Sequence, residues 1–274
     1  MTSSDAAVVI PARNEADRVG ETVQAATELP GVDLVVVVDD GSRDGTWAAA
    51  EQALGPGGPV LVVRHSRGRG KAAAMETGAE TVRMLERHQR RTAPRHLLFL
   101  DADLAGTAAG AWPLIEPVRQ QAADMTIAVF TNRVRMGGHG LVVGLAGAGI
   151  QRATGWRPLQ PLNGQRCLTR AAFEAARPLA RGFGAETALT IDLLRKHMRV
   201  TEVEVDLAHR ATGTDWRSQL HRARQLGDVA AALAVRQALV RPQAAPAAVA
   251  PASPPPAGAT AVPPASPMVP PDGR

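Results

Sequence analysis

The first part of the chain alternates between short unbroken apolar runs and longer amphipathic stretches. Residues 6–10, 34–38, 60–63 and 97–100 are runs of Ala, Val, Leu, Ile and Phe with no polar alternation. Such a run fits a strand buried on both faces, as in a parallel sheet. Between the runs lie stretches of helical period: one after Glu15 through Glu28, stopped by Pro30; one over 47–54; and one from Ala72 to about His88. Strands alternating with helices predict an α/β chain with a mostly parallel sheet and crossover helices on both faces. Further on, 105–121 reads as loop and helix, 125–129 as a strand, 141–154 as a small-residue helix and 183–197 as a helix opening on Phe183. Residues 200–207 alternate apolar and polar, the pattern of a half-exposed strand.

The end of the chain changes character. Trp216, Leu220, Leu226, Val229, Leu233 and Leu239 recur at helical spacing over 215–240, with Arg217, Arg222, Arg224 and Arg236 elsewhere. That apolar face packs on the domain or lies on an anionic membrane. Residues 242–274 are rich in Pro and Ala without periodicity, and such a composition cannot bury enough apolar surface to order itself. The expected organisation is one domain over 1–241 and a disordered tail over 242–274.

Composition narrows the picture. Aromatic residues make up 3% and Tyr is absent, so the core must be built from Val, Leu, Ile and Ala. The single Cys167 excludes an intrachain disulfide framework and fits a reducing compartment. Residues 1–6 are short and polar and resemble no signal peptide, and no stretch is long and apolar enough to span a bilayer. A cytoplasmic location follows as the expectation, or a peripheral one at the inner face of the membrane. The net charge of +5 suits an anionic substrate or acidic lipid, although much of it is Arg spread over helices. No nucleic-acid partner is expected.

The chemistry concentrates after the strand at 97–100, which runs straight into Asp101-Ala102-Asp103. Ligands of open α/β sheets sit beyond the carboxyl ends of the strands. Two carboxylates at i and i+2 of an extended segment point the same way and repel unless a cation sits between them. Hard divalent cations commonly bridge one or two carboxylates to substrate phosphates. Residues 66–71 form a basic glycine-rich loop entering a helix, where backbone N–H groups and Lys71 can approach a phosphate, but without the spacing of a P-loop. Residues 131–140, basic and glycine-rich, suggest a mobile loop. Cys167, set among apolar residues, reads as a small buried hydrophobe.

Four segments together resemble a known family. Val9-Ile10-Pro11-Ala12-Arg13-Asn14-Glu15, then Val38-Asp39-Asp40-Gly41-Ser42 with Asp44-Gly45-Thr46, then Gly70-Lys71-Ala72, then Asp101-Ala102-Asp103 are similar to the nucleotide-sugar glycosyltransferases of the GT-A fold. Each lies at a strand end, and the likeness is closest to family 2, including the polyprenyl-phosphate sugar transferases. It covers about residues 6 to 210. The resemblance implies a Rossmann-like GT-A domain in which Asp39 meets the base, while Asp40 shares that contact or holds the turn. It implies that Glu15 meets the nucleoside beside a wall of Pro11 and Ala12. Arg13 stands where the family often has Tyr, and a guanidinium can stack on a base as a ring does. Lys71, Asp101 and Ala102 fall on the diphosphate side.

Later segments extend the likeness. Residues 158–168 resemble the turn and strand that frame the sugar, making Gln165 and Arg166 candidates for sugar or phosphate contacts. Residues 183–189 resemble the segment that places an acidic residue three before a Leu on the active-site helix, and Glu186 holds that place. There it serves as the base that an inverting transfer needs, or as a first-turn carboxylate complementing the helix dipole. Glucosyl-phosphoglycerate and mannosylglycerate synthases carry a metal-binding His after the strand corresponding to 200–207, which points to His209. The expected metal set is therefore Asp101, Asp103 and His209, holding Mg²⁺ or Mn²⁺.

The expected activity is metal-dependent transfer of a sugar from a UDP or GDP sugar to polyprenyl phosphate or a small hydroxy acid. A sugar-phosphate nucleotidyltransferase would share the sheet and metal but needs a glycine-rich loop after the first strand, where Pro11 to Glu15 stand instead. A non-catalytic nucleotide- or lipid-binding module is disfavoured by the carboxylates Asp101, Asp103 and Glu186.

Overall fold

A computed structural model describes residues 6–53, 59–131, 140–207 and 216–238. Strand β1 (Ala6–Ala12) is followed by α1 (Val19–Thr27), β2 (Val32–Asp39), α2 (Thr46–Gln52), β3 (Val60–Arg64), α3 (Lys71–His88) and β4 (His96–Phe99). A 3₁₀ stretch over Ala105–Leu114 and the short α4 (Glu116–Arg119) lead to β5 (Met125–Phe130). Then come α5 (Gly140–Thr154), β6 (Arg166–Leu168), α6 (Arg170–Ala176), α7 (Ala185–Arg195), β7 (Val200–Val205) and α8 (Trp216–Ala238).

The strands form one 7-stranded sheet in the order β3-β2-β1-β4-β6-β5-β7. Every neighbouring pair is parallel except those of β6, which runs antiparallel to β4 and β5. The apolar runs have their cause here. Val8 and Ile10 of β1 face a cluster with Val19 and Val23 of α1 and Leu114 of the 3₁₀ stretch. Ala7 and Val9 face the opposite cluster, with Met75 and Val82 of α3 and Leu189 of α7. Helices on both faces leave no solvated side, so no alternation survives in the sequence.

Chain order reverses between β1 and β4: from β1 the chain moves outward to β2 and β3, then returns to pair β4 on the other side of β1. That reversal is the crevice in which open α/β sheets bind ligands, at the carboxyl ends of the strands. Helix α5 packs through Val142, Ala146 and Ile150 against Ile191 of α7 and Val229 and Leu233 of α8. Leu226, grouped with that packing face by its spacing, is instead 40% exposed. Helix α6, behind a Thr169 cap whose Oγ1 accepts from Ala172 N–H at 3.0 Å, adds an element that the apolar pattern had not suggested. Among the described residues no helix is long and apolar enough to cross a membrane. The loop at 132–139, His209 and the tail at 242–274 lie outside the described residues.

Candidate active site

Strand β2 ends on two carboxylates with different surroundings. Asp39 is fully buried: its Oδ1 accepts from Ser42 N–H at 2.9 Å, and Arg64 Nε lies 3.1 Å from its Oδ2. Asp40 accepts from His65 Nδ1 and Arg69 N–H at 2.7 Å and from Gly70 N–H at 2.8 Å. Burial pushes the Asp40 carboxyl up, but the Arg69, His65 and Gly70 donors outweigh it and hold the group below its ordinary value. His65 also contacts Thr77 Oγ1 at 2.9 Å, so Asp40 and His65 tie the basic loop at 66–70 to α3. These bonds fasten the turn after β2 to the basic loop.

The loop after β1 is stitched to the one after β2. Asn14 N–H donates to Ser42 Oγ at 3.0 Å, Glu15 N–H to Thr46 Oγ1 at 2.9 Å, and Arg43 N–H returns to Asn14 Oδ1 at 3.0 Å. Ala12 is buried, and its carbonyl accepts from Asp40 N–H at 2.9 Å, while Pro11 and Glu15 are half-buried. A cleft of about 550 Å³ opens over this seam, lined by Arg13, Arg43, Arg64 and Arg67 with Ser42 and His65. Gly41, at φ +68, brings its chain so close that a Cβ would lie 2.6 Å from the Arg67 and Gly68 backbone. Arg13 is exposed at the cleft, and the Arg64 guanidinium lies 5.9 Å over the Trp47 ring. Asp39, fully buried, does not line the cleft, whereas Arg64, which contacts its Oδ2, does.

At the carboxyl end of β4 the structure gathers residues distant in sequence. Lys71 Nζ, at the start of α3, donates to Asp101 Oδ1 at 2.6 Å and lies 3.3 Å from Glu186 Oε1 in the first turn of α7. Burial alone would lower the pKa of Lys71. Asp101 and Glu186 outweigh burial and hold it above its ordinary value, so the ammonium is charged. Gly164 closes the group: a Cβ there would sit 2.3 Å from Lys71 Nζ and 3.2 Å from Asp101 Oδ1. Ala102 is buried, and its carbonyl accepts from Thr22 Oγ1 at 2.9 Å. Asp103 is half-buried, with its carbonyl accepting from Arg18 Nη1 at 3.3 Å.

Arg166 is fully buried at the start of β6. It donates to Asn163 O at 2.7 Å, Thr190 Oγ1 at 2.9 Å, and the carbonyls of Glu186 and Pro161 at 3.1 Å. Burial pulls its pKa down to about 10, with Glu186 and Glu202 acting the other way, so it stays charged near neutral pH. In this arrangement Arg166 binds the 161–165 turn to the start of α7 and has spent its donors on protein carbonyls and a hydroxyl. Gln165 is also fully buried, with neither side-chain amide atom hydrogen-bonded among the described residues. Cys167 is buried in the sheet, which pushes its thiol pKa up, as suits a small apolar residue.

A divalent cation can be tested against these residues by donor chemistry. Among the described residues no three His, Cys, Asp or Glu side chains gather into a metal cage. Asp101 and Asp103 nevertheless supply the one or two carboxylates that Mg²⁺ takes when substrate phosphates complete its shell. The bare Cα of Gly164 leaves the room beside Asp101 that the Lys71 ammonium occupies. The pair fits a hard cation. Sequence reasoning missed Thr22, Arg18, Gly164 and His65. Only Gly164, in an Asn-Gly turn dipeptide, carried a local signal.

Comparison with known proteins agrees with this architecture. The family model described as Glycosyl transferase family 2 matches residues 7–143. Glycosyltransferase AglJ of Haloferax volcanii is 28% identical over 224 residues, covering 78% of this chain and 67% of that one. The fold is similar to glucosyl-3-phosphoglycerate synthase from Mycobacterium tuberculosis in complex with Mn²⁺, uridine diphosphate and phosphoglyceric acid. The TM-score is 0.64 at 23% identity, over 85% of this chain and 78% of that chain. A complex of the same synthase with Mg²⁺ and uridine diphosphate gives a TM-score of 0.63 at 23% identity, over 86% and 80%.

Proposed function

Because the chain belongs to glycosyl transferase family 2, we propose that it is a metal-dependent hexosyltransferase using a uridine or guanosine diphosphate sugar. The observation that carries this reading is the Lys71 ammonium, 2.6 Å from Asp101 and 3.3 Å from Glu186 at the carboxyl edge of the sheet. A diphosphate needs positive charge, the leaving nucleotide needs its growing charge offset, and the acceptor needs a group facing the sugar. Lys71, the Asp101–Asp103 pair and Glu186 are the residues of matching chemistry.

Asp101 and Asp103 would hold Mg²⁺ or Mn²⁺, with His209 as a further ligand, and the bound cation would act as Lewis acid toward the departing diphosphate. Lys71 turns from its carboxylates to the phosphates and keeps its charge while doing so. The base sits in the arginine-lined cleft beside Arg13, Pro11, Ala12 and Glu15. For Asp39 to read the base, Arg64, half-exposed, must swing off its Oδ2. Arg166 acts at one remove, keeping the 161–165 turn and Glu186 in fixed relation, and Gln165 brings the donor and acceptor a sugar hydroxyl would use. Glu186 takes the proton of a hydroxy-acid acceptor. Toward an ionised polyprenyl phosphate it orients the sugar instead, and the chain then works peripherally at a membrane.

The nucleotidyltransferase alternative is weaker, because β1 passes into the Ala12–Glu15 segment and not into a glycine-rich loop. The deciding experiment is a thermal-shift and titration series with UDP and GDP sugars, with and without Mn²⁺ or Mg²⁺. Metal-dependent stabilisation by one nucleotide class, lost in Asp103→Asn, is expected. Binding equal with metal and with chelator would overturn the metal site.

A further inference from the structure

Thr22 lies in α1, fully buried, far from the candidate site in sequence. Its Oγ1 is 2.9 Å from Ala102 O and 3.1 Å from Arg18 O, and accepts from Ala105 N–H at 2.8 Å. A buried helical threonine ordinarily satisfies its hydroxyl on the carbonyl one turn back. This one also reaches across to both ends of the turn that follows β4. Arg18, the residue capping the start of the same helix one turn earlier, donates to Asp103 O at 3.3 Å. Ala105 has φ +49, a left-handed conformation that residues other than glycine seldom adopt, so the turn depends on support from outside it. The Ala102 carbonyl lies between the two aspartates. Thr22 on that carbonyl fixes the 102–103 peptide plane and Arg18 on the Asp103 carbonyl fixes the 103–104 plane, so the Asp103 Cα, from which its carboxylate leaves the main chain, lies between two held planes.

We propose that Thr22, assisted by Arg18, is a positioning residue for Asp103, holding it in place relative to Asp101. It sets the spacing at which the two carboxylates meet a divalent cation. This rests on the metal reading above. Groups that orient metal ligands from behind typically contribute 10–100-fold to affinity when removed.

The test measures Mn²⁺ affinity by electron paramagnetic resonance on the full chain saturated with UDP. It compares wild type, Thr22→Val, Thr22→Ser, Arg18→Met and Asp103→Asn, with melting temperatures alongside. Thr22→Val should weaken Mn²⁺ by roughly 10–100-fold while leaving metal-free UDP affinity unchanged, and Thr22→Ser, which keeps the hydroxyl, should stay close to wild type. A folded Thr22→Val with wild-type Mn²⁺ affinity overturns the proposal, as does a Thr22→Ser impaired as much as Thr22→Val, which would assign the effect to packing. If Thr22→Val does not fold, Arg18→Met decides: weaker Mn²⁺ binding supports the proposal and unchanged binding overturns it. If Asp103→Asn itself leaves Mn²⁺ affinity intact, the metal reading fails and this proposal with it. If Asp103→Asn abolishes binding and Thr22→Val does not affect it, this proposal alone fails.

Discussion

Lys71 Nζ and Asp101 Oδ1 stand 2.6 Å apart across a space that only a glycine at 164 leaves open. Gly164 lies on the approach to β6, and a methyl group at 164 would lie 2.3 Å from the ammonium. The obstructed atom is the far end of a flexible side chain, so the ammonium can move aside at the expense of its place beside Asp101 while the fold stays intact. Gly164→Ala should therefore lower donor affinity by roughly 10–100-fold, the worth of one or two charge-assisted hydrogen bonds, with little change in melting temperature. Calorimetric titration with UDP beside a thermal melt checks this. A large loss of stability with intact affinity would mean that Gly164 matters for packing alone.

Asp40 yields a pH prediction. Its carboxyl is held below the ordinary value of 3.8 by backbone N–H groups and His65 despite burial. A depressed folded pKa means the unfolded chain binds the proton more readily. The stability from this carboxylate is then fully present above about pH 3.8 and is lost as pH falls toward the lower folded value. Asp40→Asn removes the charge but keeps the shape. It should cost roughly 1–3 kcal/mol at neutral pH, the range for hydrogen bonds to a charged group. Once pH falls below the depressed folded pKa, the wild-type and variant stabilities should converge. Melting curves of both proteins from pH 2.5 to 7 measure the convergence; a gap independent of pH would show that the carboxylate charge contributes nothing.

The parts of this molecule that sequence made readable are those whose cause is local. The runs at 6–10, 34–38 and 97–100 became β1, β2 and β4 because burial on both faces leaves an apolar run without gaps. The aspartates at 39, 40, 101 and 103 were visible because they follow those runs. What was not readable depends on distant partners. Lys71 meets Asp101 across 30 residues, and Thr22 meets Ala102 across 80. Strand β6, expected only through the resemblance over 158–168, spans just Arg166–Leu168 and includes a fully buried Arg, so neither its period nor its polarity announces a strand. Its strand pairing with β4 and β5 and the Arg166 contacts to Glu186 and Thr190 supply what its own residues lack. Asp39 shows the same limit in reverse: its place at the strand end was plain, but its burial and its contact with Arg64 were not.

Glu186 offers the sharpest test of what is transferred to what. It sits in the first turn of α7 with little exposure, and its carboxylate lies 3.3 Å from Lys71. Its own carbonyl is held by Arg166, so the backbone at this point is fixed independently of the side chain. Glu186→Gln preserves volume and keeps an oxygen for Lys71. Donor affinity should hardly change, and stability should fall by no more than about 1 kcal/mol, the size of a first-turn dipole interaction. If the acceptor is a hydroxyl, its proton must go to a base as the new bond forms, and turnover should drop by roughly 10²–10⁴-fold. If the acceptor is a polyprenyl phosphate, already ionised, no proton needs removal, and any loss of rate reports sugar orientation. Rates of the same variant with a small hydroxy acid and with a polyprenyl phosphate separate the two: a large loss confined to the hydroxyl acceptor marks a base, whereas comparable losses with both mark sugar orientation. Turnover at wild-type level in Glu186→Gln, with only a lowered melting temperature, would return the residue to a purely structural role at the start of α7.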